Sequence, residues 1–287
     1  MKKLWFLMAA SLIFLLAACG SNDDTNNGGD TDNSDKDSAE TTEITVGASS
    51  VPHAEILEEV QPILEEEGII LNIETYQEYV LPNDDLENGT LDANYFQHQP
   101  YLDQAVEDTG YEIESIGNIH VEPIGVYSQD IASIDDIPDG TEVVLSNSIT
   151  DQGRILSLFE ENGLITLDES VEKSSATIDD IVDNPQDLSF HPDVAPEFLP
   201  ENYNNEADAL VVINTNYAIE AGLSPLKDAL FIEDEQSEYL NVIAVRSEDA
   251  DNEALNRLVE VLQSQDIQDF MLETYDGAVI PTPVPLD

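Results

Sequence analysis

Apolar and polar positions alternate from Glu43 to Ser49, with Ile44, Val46 and Ala48 on one face. A period of two belongs to a half-buried strand. The period changes after the turn Ser50-Val51-Pro52-His53. Ile56, Leu57, Val60, Ile63 and Leu64 then form the stripe of a helix over Ala54 to Glu67, and Gly68 ends it. Alternation resumes over Ile69 to Thr75. A β-α-β opening is the unit of a parallel sheet with helices on its faces.

Further on, Pro82-Asn83-Asp84 leads into a short helix carrying Leu86, and Leu91 to Phe96 predicts a short strand. A helix is expected over Tyr101 to Glu107, then strands over Tyr111 to Ile119 and Glu122 to Tyr127. A turn-rich join at 133–140 precedes a fresh βα unit. It has a strand at Glu142 to Leu145 and a helix entered through Ser146 to Arg154, with Ile155, Leu156, Leu158 and Phe159 on its apolar face. Ala176 to Asp183 predicts another helix, closed by Asn184-Pro185, and Pro192 to Asn205 reads as irregular. Ala209 to Ile213 is a strongly apolar strand, and the helix after it starts at Asn214 and ends near Gly222. A strand over Leu240 to Val245 and helices over Asn252 to Gln263 and Ile267 to Tyr275 complete the chain. The pattern is α/β, restarts near residue 140 and returns at about 240. It predicts two lobes, one of residues 43–128 with 240–287 and one of 129–239. A ligand is expected in the crevice between them, at the carboxyl ends of the strands.

The N-terminus adds a location. Lys2 and Lys3, the apolar run Leu4 to Ala17 and small residues before Cys19 form a secretory signal over residues 1–18. Residues 19–42 are Ser, Asn, Asp, Gly and Thr with almost nothing apolar, the composition of a disordered tether. Cys19 is the only cysteine, so it has no disulfide partner within the chain. Charge adds an exclusion. There are 62 acidic residues against eight basic ones, a formal charge of −54. No basic patch for nucleic acid can form on such a surface. The carboxylates are spread over every element, which reads as a solvated acidic surface and suggests a salt-tolerant host.

The candidate chemistry is sparse. Asp92 to Tyr101 packs three aromatics, His98, two Gln and Asn94 into ten residues. That mixture serves either a buried turn or a grip on the apolar part of a small molecule. Arg154 follows Gly153 at the expected mouth of a helix. There it would hold a carboxylate by its fork or pair with one of many surface acids. Asn214 reads as an N-cap or a ligand contact, and Asn241 as a turn residue or the same. The four His (His53, His98, His120 and His191) lack the spacing of a zinc helix, although three of them converging in a cleft would suit a metal-delivery receptor. There is no G-x-S-x-G, no phosphate-binding Gly loop and no H-E-x-x-H, so a secreted hydrolase has nothing in its favour.

Several motifs occur in a familiar order. They are Pro52-His53-Ala54-Glu55-Ile56-Leu57, Tyr79-Val80-Leu81-Pro82-Asn83, Leu91 to His98, His120-Val121-Glu122-Pro123, Ile213 to Ala218 and Gly277-Ala278-Val279. Over about Thr45 to Pro281 the chain resembles the methionine-binding lipoproteins of bacterial methionine ABC importers, the NlpA or MetQ family. The resemblance implies a two-lobed periplasmic-binding-protein fold, type II-like, closing on one amino acid, with no cofactor and no catalysis. It implies a lipobox in which Cys19 is acylated and anchors the protein at the extracytoplasmic face of the cell membrane. It implies L-methionine as ligand and an ABC permease with its ATPase subunit as partners. A Met-containing dipeptide or another small apolar amino acid is the alternative ligand, and zinc a more distant one. Arg154 then takes the ligand carboxylate and Asn214 and Asn241 its head group, while Tyr79, Phe96, His98 and Tyr101 surround the thioether. Two stretches depart from the family pattern. Ser146 to Gln152 replaces the usual P-N-D-P-T-N before Gly-Arg, and the run from His191 to Asn205 is unlike its counterpart.

Overall fold

A computed structural model describes residues 41–234 and 239–282. The expected signal, Cys19 and the tether lie outside these residues. Among the described residues, no helix is long and apolar enough to cross a membrane.

The opening β-α-β forms as its pattern predicts. β1 (Thr42–Ser49) pairs in parallel along its whole length with β2 (Ile69–Tyr76), and α1 (Glu55–Glu66) connects them. The stripe Ile56, Leu57, Val60 and Leu64 is fully buried against the sheet. Gly68 takes φ +84°, the left-handed turn that ends a helix. α2 (Leu81–Glu87), β3 (Ala93–His98), α3 (Gln99–Thr109) and β4 (Ile113–Val121) follow. β3 joins the other edge of β1 in parallel. Gly47 gives room there to the Leu91 side chain, whose tip a Cβ would displace.

The chain then leaves this sheet. β5 (Gly125–Tyr127), β6 (Glu142–Ser146), α4 (Ile149–Glu161), the short pair β7 (Thr166–Leu167) and β8 (Ile181–Asp183), β9 (Ser189–Val194), α5 (Leu199–Asn205), β10 (Leu210–Ile213), α6 (Thr215–Glu220), α7 (Pro225–Asp228) and β11 (Phe231–Ile232) come next. β12 (Leu240–Arg246), α8 (Glu253–Leu262), α9 (Gln265–Thr274) and β13 (Ile280–Pro281) complete the described chain. The first sheet has the order β13-β4-β12-β3-β1-β2 and the second β11-β5-β10-β6-β9. Separate apolar cores underlie them. One packs α1, α8 and α9 on the first sheet, and another packs Ile155, Leu156 and Phe159 of α4 on the second.

Three predicted elements differ. The strand expected over Glu122 to Tyr127 is only Gly125–Tyr127, which pairs with β10 and β11 of the second sheet, so the crossing falls just after Val121 and not near 129. The helix expected over Ala176 to Asp183 is one 3-10 turn, Ile178–Asp180, followed by β8 paired with β7. Thr177 and Asp180 form a capping box there, a true helix-start signal that the chain does not extend. The stretch read as irregular over Pro192 to Asn205 contains the end of β9 and the helix α5. Pro200 stands in the first turn of α5, where its missing N–H costs nothing.

Candidate functional site

The carboxyl ends of β3, β6 and β10 meet the start of β12 around a small cavity. The structure brings Tyr79, Phe96, His98, Tyr101, Arg154, Asn214 and Asn241 together around it. Gln97, Glu122, Asp151, Thr215 and Asn216 also line it.

One wall is aromatic. Tyr79, Phe96 and Tyr101 stand 6.0–6.3 Å apart, ring centre to ring centre, and Tyr79 also packs on Tyr217 at 5.1 Å. Their hydroxyls are turned to protein partners. Tyr79 donates to Asn216 Oδ1 at 2.7 Å, and Tyr101 donates to the Tyr79 carbonyl at 3.2 Å. Gln97 belongs to a buried amide network with Asn83 and Asn94. That network ties α2 to β3 and so joins the motifs at 79–83 and 91–98. His98 Nδ1 accepts the backbone N–H of Tyr101 at 3.1 Å and caps α3. With Nδ1 accepting, the ring hydrogen lies on Nε2, which is 3.6 Å from Asp151 Oδ1.

The opposite wall is polar. α4 begins at Ile149, so Arg154 sits in its second turn and not at its mouth. Gly153 is helical, and it is there for close packing. A Cβ on it would stand 2.4 Å from the Ser174 carbonyl and 2.6 Å from that of Lys173. Arg154 is 5 % exposed. Its Nε and Nη2 donate to Glu233, and Nη2 also donates to the Glu122 carbonyl at 2.7 Å. Burial alone would lower the guanidinium pKa, but Glu233, Asp151 and Tyr239 together outweigh burial and raise it. Asp151, one helical turn before Arg154, is 2 % exposed. Burial pushes its carboxyl up, yet His98, Arg154 and Ser146 together hold it below the usual range, so it is ionised.

Asn214 occupies the N-cap position of α6, but its side chain makes no capping bond. Its Nδ2 donates to Asp151 Oδ2 at 3.4 Å, and its Oδ1 is buried with no partner among the described residues. A buried acceptor without a donor is costly, and the cavity is where a donor would come from. Asn241 is not a plain turn residue. Its Oδ1 meets the buried His53 Nε2 at 2.9 Å.

Glu122 stands over a buried pair of imidazoles. His120 Nε2 lies 2.8 Å and His53 Nε2 3.3 Å from its Oε1. The Tyr95 hydroxyl lies on His120 Nδ1, so His120 presents its Nε2 hydrogen to the carboxylate. Burial lowers His53 to about 4 and His120 to about 3, which leaves both neutral near pH 7. Burial raises the Glu122 carboxyl against the pull of His53 and Arg154. His53, His120 and Glu122 are a donor set of the kind zinc accepts, with ligand atoms within 4.8 Å of one another. Here those atoms are joined to each other by hydrogen bonds. His98 is apart from the set with Asp151, and His191 meets Ser189 at the surface.

Sequence reasoning missed Glu122 and Asp151 as cavity residues. Both signals were present. Glu122 lies in the quoted His120 to Pro123 motif, and Asp151 stands three residues before Arg154, on the same helix face. The cavity therefore offers one cationic group and two carboxylates beside amides and an aromatic wall, the complement of a small zwitterion with an apolar tail.

The family described as NlpA lipoprotein matches residues 44–283. The methionine-binding lipoprotein MetQ of Bacillus subtilis is 44% identical over 285 residues, covering 98% of this chain and 99% of its own. The D-methionine-binding lipoprotein MetQ of Escherichia coli is 37% identical over 246 residues, 85% of this chain and 90% of its own. Among solved structures, a nutrient binding protein from Burkholderia cenocepacia bound to methionine superposes with a TM-score of 0.79. It is 37% identical, and the match covers 83% of this chain and 99% of that one. With its α/β fold, its cavity and these matches over most of its length, the chain belongs to the NlpA lipoprotein family.

Proposed function

We propose that this protein is an extracytoplasmic substrate-binding lipoprotein that captures L-methionine and delivers it to the permease of an ABC importer, which a separate ATPase subunit powers. Acylated Cys19 anchors it to the membrane. The ligand carboxylate lies on Arg154. The ammonium is received by Asn214 Oδ1 and the carboxylates of Glu122 and Asp151, with Asn241 alongside. The thioether lies against Tyr79, Phe96, Tyr101 and His98, where a polarizable sulfur gains from ring contacts. The lobes built on the two sheets close on the ligand and present the closed form to the permease.

The observation that carries this reading is the unpartnered Asn214 Oδ1 beside a buried guanidinium in one aromatic-walled cavity. The names of the relatives and the methionine-bound neighbour support the ligand. Calorimetric titration of the purified, ligand-stripped protein with L-methionine tests it, alongside Arg154→Ala. Saturable binding by the wild type is expected, with a loss of about 2–5 kcal/mol in the variant, because a buried charge pair with the ligand is broken. Absence of methionine binding in the wild type refutes the ligand. Unchanged affinity in the variant removes Arg154 from the site.

A further inference from the structure

Arg154 is held from behind. Its Nε donates to both oxygens of Glu233, at 3.1 and 3.0 Å, and its Nη2 donates to Glu233 Oε2 and to the Glu122 carbonyl. Its guanidinium carbon lies 4.5 Å from the ring centre of Tyr239, which covers one face. Glu233 stands just beyond β11 and is not among the residues that line the cavity, whereas Arg154 is. The Nε and Nη2 donors are thus committed to protein groups. Among the described residues Nη1 donates no hydrogen bond.

We propose that Glu233 is a positioning residue that fixes the Arg154 fork with Nη1 left for the carboxylate of the ligand. This rests on reading the cavity as an amino-acid site. A guanidinium without that clamp has two other carboxylates within the same cavity, Glu122 and Asp151. Turning to either would spend the one cation of the cavity on the protein itself. A contact through Nη1 alone depends steeply on where the guanidinium plane is held, so a loose guanidinium forfeits most of its grip. Glu233 does not act as a competitor for the same donors, because its carboxylate takes the edge of the guanidinium that the Glu122 carbonyl also uses. The sign of the effect separates the two roles. A carboxylate that merely neutralised Arg154 would weaken anion binding, and its removal would tighten methionine. A positioning carboxylate predicts the reverse.

The experiment compares wild type and Glu233→Gln by calorimetry with L-methionine and with L-methioninamide, which keeps the ammonium and thioether but has no carboxylate. Glu233→Gln is expected to weaken L-methionine about 10-fold or more while the amide shifts by less than about 2-fold. Equal loss for both ligands would mean a general structural effect and overturn the proposal, as would unchanged or tighter methionine binding. Glu233→Ala is read in the same way should the Gln variant not fold. Wild type that binds methionine beside a variant that binds it equally sinks this inference alone. Wild type that binds neither ligand sinks the amino-acid reading beneath it.

Discussion

At the scale of single residues, Phe96 and the buried imidazoles make separable predictions. Phe96→Ala is expected to weaken L-methionine by about 1–2 kcal/mol and to leave L-alanine within a few tenths, since on the proposed reading the ring meets only the tail of the ligand. Competition titration checks it, and an equal loss for both amino acids would take Phe96 away from the thioether. His53 and His120 are held neutral, at about 4 and about 3, whereas unfolded imidazoles titrate near roughly 6.5. Between roughly pH 6.5 and 5 the unfolded chain therefore binds protons that the native state does not, and stability falls as pH falls. Glu122, raised by burial, takes up a proton in the native state and opposes this. Urea unfolding at constant molar salt measures the slope, and His120→Gln is expected to remove up to about 1.4 kcal/mol per pH unit of it. A flat wild-type profile, or a variant with the same slope, contradicts the assignment. Arg154 stood out only by its place after a strand and Gly153, since an acid-rich chain offers any Arg many surface partners, and the fold moves it from the helix mouth to the second turn of α4. Asn214 was ambiguous because the same residue caps helices; in the fold it holds the N-cap position without a capping bond, and its Oδ1 has no partner among the described residues.

At the scale of elements, α4 is the part most exposed to a one-carbon change. A Cβ on Gly153 would meet backbone carbonyls at 2.4 and 2.6 Å, which cannot swing away as a side-chain tip would. Gly153→Ala is expected to cost about 1–3 kcal/mol in unfolding free energy, and to weaken methionine because Arg154 is the next residue. Unfolding and titration of the same sample check both, and a variant as stable as wild type would mean that the 173–175 turn yields freely. Long periodic elements were legible, as β1, α1 and α8 demonstrate. Short ones were not. β8 has three residues and α5 seven, less than two turns, too few for periodicity to tell strand from helix. Their identity comes from packing partners outside the element itself, β7 for one and the β10 core for the other.

At the scale of the whole molecule, charge dominates. Among the described residues Arg154, Lys173, Lys227, Arg246 and Arg257 are each paired with a carboxylate, which leaves most acids facing water and one another. Self-repulsion is long-ranged in dilute buffer and is screened within about 3 Å at 1 M salt. Stability is expected to rise from dilute buffer to molar sodium chloride, measured by the urea midpoint; a midpoint that is flat or falls argues against net repulsion. The restart of the βα pattern near residue 140 made two sheets legible. The place of the first crossing was not, because Glu122-Pro123-Ile124 has strand-like composition on both sides.

The two walls of the cavity have different owners. Every ring that lines it, Tyr79, Phe96, His98 and Tyr101, precedes the crossing after β4, and the residues contributed after it, up to Asn216, are all polar. On the proposed reading, the part of the chain before the crossing meets the side chain of the ligand, and the part after it, together with Asn241 of β12, meets the head group. The receptor is modular in this sense. A library confined to the aromatic wall is expected to re-address it to another amino acid while the polar wall stays untouched, the arrangement wanted in a biosensor scaffold.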